Sequence, residues 1–178
     1  NQPKPGRADA DKLRVFISYS RDDLDFAEQL YTALGAYGFD CSVDRHGISG
    51  GEDWKPRLSS LIGEADTVVF VLSPVSARSE VCAWEVETAV KLGKRLIPII
   101  CRPLEGTIPS QHLRDLNYIF FHAEPKAPGS GFGTGLAQLI EALKTDLHWL
   151  RQHTRYLQHA LEWDAGGRPV RMVGTHTD

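Results

Sequence analysis

Residues 67–92 read TVVFVLSPVSARSEVCAWEVETAVKL. The first six, Thr67 to Leu72, are apolar throughout and rich in β-branched side chains, which predicts a strand buried on both faces at the centre of a sheet. From about Glu80 the period changes. Val81, Cys82, Val86, Ala89, Val90 and Leu92 form one helical stripe, with Glu80, Trp84, Glu87 and Lys91 opposite. Glu85 breaks the pattern, because it falls inside the apolar arc, with Val81 and Ala89 four residues away and Cys82 three. Burying a carboxylate costs several kcal/mol unless something compensates, so Glu85 must either meet a buried partner or face a cleft. Glu87 reads as a solvated pair with Lys91 at i+4. Trp84, on the polar face, is expected outside any site and at an interface.

Outward from this segment the same alternation repeats. Upstream, Leu13 to Tyr19 (LRVFISY) predicts a strand, and Ser20-Arg21-Asp22-Asp23 starts a helix over Leu24 to Ala36 with Phe26, Ala27, Leu30, Ala33 and Leu34 inward. Phe39 to Val43 is a second strand. The loop from Asp44 to Glu52 carries Gly47, Gly50 and Gly51, and Asp53 is placed to cap a helix with Pro56 in its first turn and Trp54, Leu58, Leu61 and Ile62 inward. Downstream, Arg95 to Cys101 is a fourth strand in which Pro98 predicts incomplete pairing on one side, and Tyr118 to His122 is a short fifth. The Gly-rich run GSGFGTG, residues 129–135, does not satisfy the dinucleotide-binding G-x-G-x-x-G pattern and follows no apolar strand directly. From Leu136, Leu139, Ile140, Leu143, Leu147, Leu150, Leu157 and Leu161 recur at helical spacing to about Asp164. One continuous helix of that length outreaches a compact domain, so its far half, with Trp149, Tyr156 and Trp163, is expected to dock back or to join a neighbour.

Strands alternating with helices predict an α/β fold, a parallel sheet covered on both faces, with an extra C-terminal helix. Ligands in such sheets bind beyond the carboxyl ends of the strands. Those ends are Ser18-Tyr19-Ser20-Arg21, Asp44 with its glycine loop, and Ser73-Pro74 leading to Glu85, so the misplaced carboxylate lies at the expected ligand end.

The 178 residues, net charge of -3 and scattered basic residues give no electrostatic case for nucleic acid or an anionic membrane. No apolar run approaches the roughly 18 residues that span a bilayer. Cys41, Cys82 and Cys101 sit in apolar runs without metal-binding spacing, and His148, His153 and His159 are scattered around one helix, so no metal site is expected. The chain reads as cytoplasmic, and its start without Met reads as a piece of a longer protein.

The runs RVFISYSRDD, YGFDCSVD with its glycine loop, VVFVLSPVSARSEVCAWEVETAV and GKRLIPII, in that order, resemble the Toll/interleukin-1 receptor (TIR) domain over about 13–147. The resemblance is to the bacterial, enzymatic branch. It implies a flavodoxin-like three-layer fold with five parallel strands in the order 2-1-3-4-5. It also implies a catalytic Glu, aligned with Glu85, that cleaves the nicotinamide–ribose bond of NAD+ as substrate, with no further cofactor. Activation by self-association is implied as well, with the Gly47, Gly50 and Gly51 loop of one subunit completing a neighbour's site, in bacterial immune signalling. Candidate substrate contacts are Ser20, Arg21 (to the diphosphate), Asp44, Trp54 (stacking on a base, or a plain core residue), Ser73 and Cys82; Ser79 reads as a helix cap. Residues 1–12 are a leader, and residues 148–178 a helical extension and tail resembling a linker to a fused sensor module. The alternative function is a non-catalytic TIR scaffold for homotypic assembly, which needs no carboxylate at position 85. A receiver domain would need an Asp at the end of the third strand, where Leu72-Ser73-Pro74 stands, and hydrolase signatures such as G-x-S-x-G are absent.

Overall fold

The computed structural model describes residues 12–45 and 53–165, with side chains through 153. The leader, the loop glycines Gly47, Gly50 and Gly51, and the tail lie outside the described residues. Five strands, β1 (Arg14–Ser18), β2 (Asp40–Val43), β3 (Thr67–Leu72), β4 (Arg95–Ile100) and β5 (Ile119–Phe120), pair in parallel in the order β2-β1-β3-β4-β5. Between and after them run α1 (Leu24–Ala36), α2 (Lys55–Glu64), α3 (Pro74–Arg78), α4 (Glu80–Lys91), α5 (Gln111–Arg114) and α6 (Phe132–Ala165). This is the α/β flavodoxin-like sheet that the sequence resemblance implied.

Strand β3 is central, and every one of its residues is buried. Its alternation divides the core: Val69 and Val71 join Val15, Ile17, Leu30, Leu34, Leu139 and Leu143 on the face covered by α1 and α6. Val68, Phe70 and Leu72 join Phe16, Leu58, Ile62, Val86 and Leu113 on the face covered by α2, α4 and α5. Pro98 pairs in register with Phe70 of β3, while β5 covers only Ile99 and Ile100, so the proline falls in the stretch β5 leaves unpaired.

Several local expectations are corrected. Two helices follow β3 instead of one, because Ser73 and Ser76 form a reciprocal capping box that starts α3, and Ser79 then accepts from the Cys82 N–H to start α4. Val90 and Leu92, assigned to the buried stripe of α4, are 38% and 48% exposed. Trp84 is partly buried and meets Trp54 edge-on, with centroids 5.1 Å apart, so the polar face of α4 is a helix–helix contact with α2. Glu87 pairs with His112 Nε2 of α5 at 2.9 Å and not with Lys91. The N-cap of α2 is Trp54, one residue after Asp53, whose carboxylate accepts from the Lys55 N–H at 3.3 Å. In the glycine-rich run, Gly135 lets α6 lie against β5: a Cβ there would stand 2.6 Å from the Phe120 carbonyl oxygen. Helix α6 is a single helix of 34 residues.

Candidate active site

Strand β1 ends at Ser18 and the chain bends at Ser20 into a 3-10 turn, Arg21–Asp23, before α1 begins. Strand β2 ends at Val43, one residue before Asp44, and α4 descends beside both from its Ser79 cap. Between these ends opens a cleft of about 310 Å³, lined by Tyr19, Ser20, Arg21, Asp44, Leu58, Val81, Cys82 and Glu85, among others. A smaller lobe of about 170 Å³ adjoins it, with Ser18, Ser79 and Cys82 lining one or both, and extends toward Ile108–Arg114.

Glu85 is 4% exposed, on the inward face of α4 beside Val86 and Ala89. Burial pushes its carboxyl up to about 8; the Ser18 hydroxyl, donating to it, opposes that rise, and the Asp44 carboxylate adds to it. Among the described residues no Lys or Arg forms an ion pair with it. Asp44 is differently placed, since Arg57 Nη2 of α2 donates to its Oδ2 at 3.1 Å and the Tyr19 hydroxyl donates to its main-chain oxygen at 2.9 Å. Two carboxylates therefore face one cleft, one paired with a guanidinium and one held in an apolar wall. A buried acid without a cationic partner among the described residues works against stability, which makes Glu85 the candidate for chemistry or binding in this cleft.

Of the residues singled out in the sequence, Glu85, Ser20, Arg21, Asp44 and Cys82 come together here. Cys82 is a poor nucleophile, because burial and the Glu85 carboxylate push its thiol up to about 11. Ser73 is not in the cleft. It is fully buried, accepts from the Ser76 N–H at 3.2 Å, and donates to Asp23, itself 4% exposed and held by Arg102 at 2.9 Å. Trp54 is not among the described lining residues either; its ring packs on Trp84, with the Lys55 ammonium 5.8 Å from its centroid. Sequence reasoning missed Arg57 and the Asp23–Arg102 pair. A charged residue inside a helix or turn carries no sign of a partner 13 or 79 residues away. Among the described residues no cluster of His, Cys, Asp and Glu is arranged to hold a metal ion, and no helix is long and apolar enough to cross a membrane.

Residues 15–140 match the family model of the TIR domain. The chain belongs to the TIR domain family. Solved TIR structures show the same fold. The TIR domain of the Toll-related receptor TRR-2 from Hydra magnipapillata aligns over 73% of this chain and 97% of its own, with a TM-score of 0.57 at 18% identity. The TIR domains of the activated Roq1 resistosome that recognises the effector XopQ align over 74% and 99%, with a TM-score of 0.55 at 16% identity. A TIR-STING receptor from C. gigas in complex with 2',3'-cGAMP is 26% identical over 60% of this chain, with a TM-score of 0.50; the match spans 34% of that receptor. No curated protein matches the chain in sequence. In TIR terms, the cleft lies between the end of the first strand, the loop after the second, and the helix after the third.

Proposed function

We propose that this TIR domain cleaves the nicotinamide–ribose bond of NAD+, giving nicotinamide and ADP-ribose or a cyclic isomer, with Glu85 as the catalytic carboxylate and self-association as the activating step. The observation that carries this reading is the 4% exposed carboxylate of Glu85, without a cationic partner among the described residues, in a strand-end cleft. A scaffold surface has no use for such a group, whereas a reaction that develops positive charge does.

In the proposed reaction the bond from C1′ of the ribose to the nicotinamide nitrogen breaks, and its electron pair leaves with the ring, cancelling the ring's positive charge. The ribose is left as an oxocarbenium ion. The leaving group departs neutral and needs no general acid, so one fixed carboxylate can suffice. Glu85, oriented by Ser18, holds the ribose hydroxyls and stabilises the cation, and water then adds at C1′ and loses a proton to give ADP-ribose. Arg21, exposed at the mouth of the cleft, is placed to meet the diphosphate. Asp44 is held by Arg57 and Tyr19, which makes it a wall of the site and leaves Glu85 the acting acid.

The raised carboxyl fits this chemistry. At neutral pH the empty site holds Glu85 largely protonated, and arrival of a cationic nicotinamide ring favours the ionised form. Hence kcat/KM for NAD+ should rise with pH up to about 8, while kcat levels off at lower pH. The direct test is incubation of concentrated protein with NAD+ and identification of the products by chromatography and mass. Nicotinamide with ADP-ribose or its cyclic isomer is expected; NAD+ left intact at every protein concentration would leave the scaffold reading in its place.

A further inference from the structure

Asp23 stands at the N-cap of α1, the position where an aspartate ordinarily turns its carboxylate back onto the first free N–H groups of the helix. It makes no such bond. Its side chain reaches instead to the ends of two other strands. Oδ2 accepts from the hydroxyl of Ser73, the residue after β3, and Oδ1 accepts from Nε and Nη2 of Arg102, two residues after β4, at 3.0 and 2.9 Å. Both anchors are themselves fixed. Ser73 Oγ accepts from the Ser76 N–H at 3.2 Å, and the N–H of Cys101, next to Arg102, donates to the Leu72 carbonyl at 3.0 Å. What this arrangement holds is the turn Arg21–Asp23. The turn's own main-chain bonds, such as Asp23 N–H to the Ser20 carbonyl at 2.8 Å, set its shape but not its direction relative to the sheet. Ser20 and Arg21 line the cleft, and Asp23 is not among the described residues that do.

We propose that Asp23, tied to Ser73 and Arg102, is a positioning residue: it fixes the Ser20–Arg21 turn to the ends of β3 and β4 and so holds Arg21 toward the diphosphate of the substrate. A buried ion pair adds little net stability, because desolvation offsets its attraction, and an aspartate that capped α1 would start that helix better. What bonds to two separate strands supply is direction, with a guanidinium giving two donors in a fixed geometry. Arg21 meets the diphosphate alike in the ground state and in the transition state, because the bond that breaks lies elsewhere in NAD+. Loss of its aim therefore weakens binding and leaves the chemical step alone, which raises KM at constant kcat. This rests on the reading above that NAD+ occupies the cleft, and it names the residues that orient its diphosphate contact.

The test is steady-state kinetics of the full chain with NAD+ at one protein concentration. Arg102→Gln should raise KM at least fivefold with kcat within twofold of wild type, and Arg102→Lys, which keeps the charge and one donor, should fall between the two. Arg21→Ala should raise KM as well. Adding Arg102→Gln to it should raise KM no further, because Arg102 acts only through Arg21. Asp23→Asn with Arg102→Gln leaves no buried charge alone, so it carries the measurement if Arg102→Gln does not fold. Dissociation constants for ADP-ribose, which keeps the diphosphate and lacks the scissile bond, should move by the same factors, whereas inhibition by nicotinamide, which has no diphosphate, should not move. Effects of Arg21→Ala and Arg102→Gln that multiply overturn the inference. So does a kcat that falls with the melting temperature at unchanged KM, which would make the pair a support of the fold alone. NAD+ left intact while ADP-ribose affinity follows the expected pattern would refute cleavage and uphold the positioning role. A wild-type chain that neither cleaves NAD+ nor binds ADP-ribose overturns both.

Discussion

Glu85 carries both the proposed chemistry and a cost in stability. Its carboxyl stands at about 8 in the fold against an ordinary value of 4.5, so below about pH 4.5 it is protonated whether the chain is folded or not. Between 4.5 and 8 the unfolded chain ionises and the folded chain does not, and stability falls steadily as pH rises; above 8 both are ionised and the loss is complete. Glu85→Gln removes this slope. Its unfolding free energy should match wild type near pH 4.5 and exceed it at pH 8, the gap reaching a few kcal/mol, with a melting temperature that rises above wild type in step. A difference that does not grow with pH would mean that Glu85 is not held protonated in the fold. Ser18 acts on the same group, since its hydroxyl favours the ionised form. Ser18→Ala should therefore move the kcat/KM inflection to higher pH with little change in the alkaline plateau, the mark of a positioning residue, read from a pH–rate profile. At this scale the sequence was informative, because a Glu inside an apolar arc is visible from spacing alone. Ser73 was not legible, since a serine after a strand looks the same whether it faces a ligand or caps a helix and donates to Asp23.

Contacts between elements set where the cleft walls stand. Helices α2 and α4 meet through Trp54 and Trp84, ring planes 89° apart, which fixes the helix carrying Arg57 and Leu58 against the helix carrying Glu85. A double-mutant cycle of Trp54→Ala and Trp84→Ala, followed by thermal melting, should give a coupling of about 0.5–1.5 kcal/mol. Trp54→Ala that spares stability but abolishes NAD+ cleavage would instead return this ring to the substrate. On the far edge, Gly135→Ala drives a Cβ to 2.6 Å from the Phe120 carbonyl and 2.9 Å from the Phe121 ring. Backbone cannot yield as a side-chain tip can, so denaturant unfolding should show a loss of about 1–3 kcal/mol. Helical and strand periods were readable because they report burial on one element. The partner across the gap was not: the outward row of α4 reads as solvated whether water, Trp54 or His112 lies against it.

For the whole molecule, alternating strands and helices predicted a parallel sheet, whereas the order β2-β1-β3-β4-β5 came from the family resemblance, because periodicity says nothing about which strands adjoin. That order puts the ends of β1 and β3 side by side and opens the cleft where Glu85 lies. If subunits complete one another's sites, specific activity should rise with protein concentration, in step with the size measured by light scattering. A flat, high specific activity from a monomeric sample would remove self-association from the mechanism. The central claim, that the Glu85 carboxylate drives cleavage of NAD+, is tested most directly by initial rates of nicotinamide release from wild type, Glu85→Gln and Glu87→Gln at one high protein concentration. Wild type and Glu87→Gln should release nicotinamide at similar rates, and folded Glu85→Gln should fall at least a hundredfold below them. Release by Glu85→Gln at the wild-type rate would contradict the account.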